Sequence, residues 1–113
     1  KQTEKMFNKE VIASFSVGSF LVNTSRGELI DQEALFDALV ERRIAGAALD
    51  VFASEPLDKS SRLFTFDNVL LSPHISGNFS NYQEIMIAQF GEMLIKYLNN
   101  KRLKNRVCKK RLY

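Results

Sequence analysis

The apolar residues of this chain alternate between short continuous runs and longer helical stripes, and the polar breaks between them set out its elements. Phe7-Asn8-Lys9-Glu10-Val11-Ile12 opens a short helix, with Asn8 as N-cap and Phe7 and Ile12 at the staple positions, ending before Gly18. Ser19–Thr24 then predicts a strand. Its apolar residues are continuous rather than alternating, which implies burial on both faces. Ser25-Arg26-Gly27 is a turn in which the glycine permits positive φ. Asp31 N-caps a second helix, stapled by Ile30 and Leu35, with Leu35, Phe36, Ala38 and Leu39 on its buried side and an end near Arg43. Ile44–Phe52, made of small and apolar residues, is a second buried strand crowded by neighbours.

Ser54–Arg62 reads as a polar loop containing Glu55-Pro56. Phe64 and Phe66 are expected to cover a core edge, and Asn68–Leu71 is the third strand. Ser80 and Gln83 have capping-box spacing at the start of a long helix that ends near Asn99-Asn100. Its stripe of Tyr82, Met86, Phe90, Met93, Leu94 and Tyr97 is widened by Ile87, Ile95 and Leu98, which suggests packing against more than one partner. The order of helix, strand, helix, strand, loop, strand and long helix predicts an α/β fold: a parallel sheet of about three strands with helices on its faces.

Length and charge narrow the function. At 113 residues the chain is one domain's worth of sequence. No apolar run approaches the roughly 20 residues of a membrane span, and residues 1–15 lack the apolar core of a signal peptide. The single cysteine, Cys108, excludes an internal disulfide and agrees with a reducing compartment, so the cytoplasm is the expected location. The net charge of +3 is unevenly spread. Residues 1–100 carry nine basic and thirteen acidic side chains, while residues 101–113 carry seven basic and none acidic. A basic tail can grip nucleic acid or an anionic surface, but no aromatic platform is interleaved with these lysines. No nucleic acid, membrane or metal partner is expected.

In parallel sheets the ligand crevice lies outside the carboxyl ends of the strands. Arg26 follows the first strand, Asp50 ends the second with Glu55 shortly beyond, and His74, the only histidine, follows the third. A histidine paired with a carboxylate is an acid–base unit, and an arginine fork suits a substrate carboxylate. Together they would suit a small 2-oxo acid whose carbonyl oxygen gains a proton as its carbon receives a hydride from a nicotinamide. Each residue also has a plainer reading. Arg26 could ion-pair with Glu28 or Asp31, Asp50 could cap a loop, Glu55 could be solvated, and His74 could be a satisfied turn residue.

Four segments carry a resemblance: Asn23-Thr24-Ser25-Arg26-Gly27, Ala45–Phe52, Glu55-Pro56-Leu57 and Asn68–Gly77. In order and spacing they resemble the D-isomer-specific 2-hydroxyacid dehydrogenases, the family of phosphoglycerate dehydrogenase and the glyoxylate/hydroxypyruvate reductases. The resemblance implies that Arg26 binds the substrate carboxylate, that His74 is the acid–base and that Glu55 is its partner. It further implies that Thr24, Ser25, Arg26 and Asp50, with His74, Ile75, Ser76 and Gly77, line the nicotinamide side of an NAD or NADP site. The fold it implies is the second half of a Rossmann-type doubly wound sheet over residues 1–78. Residues 79–113 would then be a long helix and basic tail returning toward a substrate domain. The tail Leu103–Val107 resembles the family's closing segment, although Cys108 and Leu112 stand where relatives more often have an acidic residue and a glycine.

The chain contains no Gly-x-Gly-x-x-Gly, the backbone cradle for pyrophosphate. It is therefore expected to be the carboxyl-terminal third of such an enzyme, a homodimer when whole, and to be inactive as an isolated piece with an unpaired edge strand. Two other classes stay open: a non-catalytic relative of the same fold that senses the cofactor, and a module binding anionic partners through residues 101–113.

Overall fold

The computed structural model describes residues 3–110. Asn8 and Asp31 start the first two helices through their own side chains. Asn8 Oδ1 accepts the amide of Val11 at 3.0 Å, capping α1 (Lys9–Ala13). Asp31 Oδ1 accepts the amides of Glu33 and Ala34 at 3.2 and 3.4 Å, capping α2 (Gln32–Val40). Each cap satisfies donors that the first helical turn leaves free, at about 1 kcal/mol apiece. α2 stops where Arg42 turns to a φ of 53° and pairs with Asp67 at 2.9 Å.

The strands β1 (Phe20–Asn23), β2 (Gly46–Leu49) and β3 (Val69–Leu71) form one sheet in the order β1-β2-β3, parallel at both seams. Leu21 lies beside Ala47, and Ala47 beside Val69. Leu21, Ala47 and Leu49 join Ile12 of α1 and Ala34, Leu35, Phe36, Ala38 and Leu39 of α2 in a single core, closed by Ile30, Ile44 and Leu63. Phe66 stacks on Phe36 with ring centroids 6.1 Å apart, and the Arg62 guanidinium lies over the same Phe36 ring. The chain divides into two compact units, Lys1–Gly77 and Asn78–Tyr113. The second contains α3 (Tyr82–Leu98), which ends at Asn99, whose side-chain amide donates to Ile95 O at 2.7 Å.

Several expectations need correction. Among the described residues the sheet is buried on one face only: Phe20, Val22 and Leu70 alternate with the core residues and are 71%, 67% and 70% exposed. A continuous apolar run reports the chemistry of both faces, whereas burial requires an element on each, and α1 and α2 share one core. Phe64 is exposed, leaving Phe66 alone at the core edge. Ser80 does not cap α3. The N-cap is Asn81, held left-handed at φ 64° without a side-chain hydrogen bond. None of α3's residues is buried. Gly27 does not use positive φ. It is required because a Cβ there would run into the backbone of Phe52 and Ala53.

That distinction is testable by denaturation. Gly27→Ala is expected to lower stability by roughly 2 kcal/mol or more, the scale of core overpacking. Gly91→Ala, in mid-helix with nothing within 4 Å of the new methyl, should raise it by up to about 1 kcal/mol. A neutral Gly27→Ala in urea unfolding would contradict the packing described.

Candidate active site

Three loops leave the same edge of the sheet, and hydrogen bonds between their first residues keep them level. The Asp50 amide donates to Asn23 O and the Ser72 amide to Leu49 O, both at 3.0 Å, extending the parallel ladder past the strand ends. Everything proposed for the site hangs from these three exits.

After β1, Asn23 points inward with Leu21 and is buried. Its Oδ1 accepts the amide and hydroxyl of Ser25 at 3.1 and 2.9 Å, and its Nδ2 donates to Arg26 O at 2.9 Å. Thr24, Ser25 and Arg26 are exposed. The Arg26 guanidinium donates one bond, to Ser25 O at 2.7 Å. Among the described residues no carboxylate lies within ion-pair distance of it. Asp31 is instead engaged by Lys5 at 3.1 Å.

After β2, Asp50 is 3% exposed. Its Oδ1 accepts the Ser72 hydroxyl at 2.5 Å and the Ile75 amide at 2.9 Å, and its Oδ2 accepts the Ser76 amide at 2.9 Å. These donors, the Ser72 hydroxyl foremost, hold its carboxyl far below the usual 3.8 against the opposing effect of burial. The bracketed residue is His74, whose φ of 54° is costly for a residue with a Cβ and is tolerated because the turn is fastened on both sides.

Glu55 completes the group. Its Oε1 accepts the Phe52 amide at 2.9 Å, and its Oε2 lies 2.8 Å from His74 Nδ1. The histidine contact, then the Phe52 amide, keep the Glu55 carboxyl below its ordinary 4.5, with the charges of His74 and Arg26 adding to the effect. An ionised carboxylate can only accept, so Nδ1 must carry the proton and donate to Glu55. Nε2 is then the nitrogen that can give up or take a proton.

The structure thus brings Glu55 and His74 into contact and ties the backbone of Ile75 and Ser76, next to His74 in the turn, to buried Asp50. Asn23 and Ser72 escaped the sequence reading of the site. The signal for Asn23 was a polar residue at an inward position of an apolar strand, where an amide must find partners. A cofactor could meet this edge at the exposed turns Thr24–Arg26 and His74–Gly77. The chain contains no glycine-rich loop of the kind that cradles a pyrophosphate.

Residues 1–76 match the family model described as "D-isomer specific 2-hydroxyacid dehydrogenase, NAD binding domain". The chain belongs to this family. It is 44% identical over 102 residues to D-3-phosphoglycerate dehydrogenase of Escherichia coli, covering 87% of this chain and 25% of the relative. It is 49% identical over 76 residues to glyoxylate reductase of Thermofilum pendens, covering 67% of this chain and 22% of the relative. The chain therefore spans about a quarter of the length of these curated dehydrogenases. A D-isomer specific 2-hydroxyacid dehydrogenase from Xanthobacter autotrophicus Py2, crystallised with NADPH and MES, superimposes with a TM-score of 0.88 at 33% identity. That match covers 99% of this chain and 46% of the crystallised one.

In this dehydrogenase domain Asp50 sets a pH dependence. Its folded-state carboxyl titrates below the usual 3.8, so its contribution to stability is complete above that value and is lost as pH falls further. Asp50→Asn removes the charge and sets an amide N–H₂ against the Ile75 or Ser76 N–H. The expected result is faster hydrogen exchange at both amides and a smaller drop in melting temperature between pH 5 and pH 3 than in the wild type. Unchanged protection of Ile75 and Ser76 would show that Asp50 does not hold the turn.

Proposed function

We propose that this chain carries the proton-transfer and substrate-carboxylate end of an NAD(P)-dependent oxidoreductase acting on a small 2-hydroxy or 2-oxo acid. The observation that carries the reading is the ionised Glu55 held 2.8 Å from His74 Nδ1, on a turn fastened to buried Asp50. Placing this pair at the carboxyl edge of a parallel sheet puts it where such sheets take their ligands.

When bound, the nicotinamide supplies or accepts the hydride at C2 of the acid. The chain's own residues do the rest. In the reducing direction the imidazolium gives its Nε2 proton to the carbonyl oxygen, while Nδ1 keeps its bond to Glu55 and the carboxylate balances the charge before transfer. In the oxidising direction neutral Nε2 takes the hydroxyl proton. Arg26 has spent one of five donors on Ser25 O, and the remaining fork can hold the substrate carboxylate and orient C2. Thr24, Ser25, His74, Ile75, Ser76 and Gly77 would face the nicotinamide, with Asp50 as the floor beneath them. In this reading residues 1–78 are the second half of the cofactor domain and residues 79–113 lead to the substrate domain. The wider expectation of a homodimer rests on the family resemblance, and that of a cytoplasmic location on the single cysteine, Cys108.

In the full-length enzyme, His74→Asn is expected to lower kcat by roughly two to four orders of magnitude, the usual worth of a positioned acid–base. A kcat within threefold of wild type would remove His74 from the role. Glu55→Gln leaves a side chain whose N–H₂ can face Nδ1 and favour the other tautomer. It is expected to lower kcat for reduction by about tenfold or more, and an unchanged kcat would leave Glu55 without function. The 113 residues alone should show no NADH-dependent reduction of glyoxylate or hydroxypyruvate. Turnover by them would contradict the need for a separate pyrophosphate cradle.

A further inference from the structure

Among the described residues only two polar or charged side chains are buried, Asp50 and Asn23. The first braces the histidine turn. The second has no part in the chemistry derived so far, yet all its hydrogen bonds go to one short loop. Asn23 Oδ1 takes both the amide and the hydroxyl of Ser25, and Asn23 Nδ2 holds Arg26 O. Ser25 O, in the same fastened loop, is the acceptor on which the Arg26 guanidinium rests. One buried amide therefore sets both the backbone of Arg26 and the surface against which its fork lies. The core fixes Asn23 in turn, because it shares its strand face with Leu21 and its carbonyl accepts the Asp50 amide.

We propose that Asn23 is the positioning residue for Arg26, holding both its backbone and the Ser25 carbonyl on which its guanidinium rests. The inference rests on the reading of Arg26 as the carboxylate-binding residue. A long, exposed arginine without such a rest would sample many rotamers, and ordering it on substrate binding would cost affinity.

The test is a double-mutant cycle in the full-length enzyme: wild type, Asn23→Ala, Arg26→Ala and the double variant, each assayed for KM of a 2-oxo acid at saturating NADH. Asn23→Ala alone should raise KM roughly 10- to 100-fold, the effect of misplacing a binding group by about an ångström. In the Arg26→Ala background the same change should add less than about twofold, since the group it positions is gone. A general loss of structure would act equally in both backgrounds. Additive effects would overturn the inference and leave Arg26 in its role. An unaltered KM in Arg26→Ala would overturn the inference together with the reading beneath it. Should Asn23→Ala fail to fold, Asn23→Asp keeps the acceptor for Ser25 and loses the donor to Arg26 O, and the same cycle with the same outcomes applies.

Discussion

A buried carboxylate with no cation beside it is the constraint from which the candidate site follows. Asp50 is 3% exposed and has no ion-pair partner among the described residues. Burying such a charge is expensive unless donors replace water. Ser72, Ile75 and Ser76 supply them, and their convergence forces the chain between them into a tight turn. His74 sits in that turn with left-handed backbone, a conformation it would not hold unaided. The position of the imidazole is thus a by-product of solvating one aspartate.

The parallel sheet explains why the other groups arrive at the same place. With β1, β2 and β3 all running one way, their exits lie along one edge, and a short loop from each reaches the next. Glu55, five residues past Asp50, folds back far enough to take the Phe52 amide and meet His74. Gly27 permits the loop after β1, which carries Arg26, to press against the backbone of Phe52 and Ala53. Antiparallel strands would have sent alternate loops to opposite edges.

Much of the fold was legible because local chemistry and tertiary structure agree. Asn8 and Asp31 cap their helices, and the three apolar runs became three parallel strands. What was not legible depended on neighbours. Phe20, Val22 and Leu70 are as apolar as any core residue, and no local pattern states whether a second layer covers them. Ser80 had the right spacing for a cap, but Asn81 took the left-handed position that starts α3. In the site, the pairing of Glu55 with His74 came from the family resemblance, while Asp50's three bonds to the histidine turn and Asn23's three to the arginine loop required coordinates. Hydrogen bonds over such mixed separations, from two residues to more than twenty, leave no periodic trace in a chain.

The central claim is that Glu55 holds the proton on His74 Nδ1 and leaves Nε2 to exchange it. Nitrogen-15 NMR of the His74 ring across a pH titration tests this most directly, because the two ring nitrogens shift differently when bare and when protonated. The account predicts that Nδ1 stays protonated throughout and that only Nε2 loses its proton as pH rises. Loss of the proton from Nδ1, with Nε2 still protonated, would contradict it.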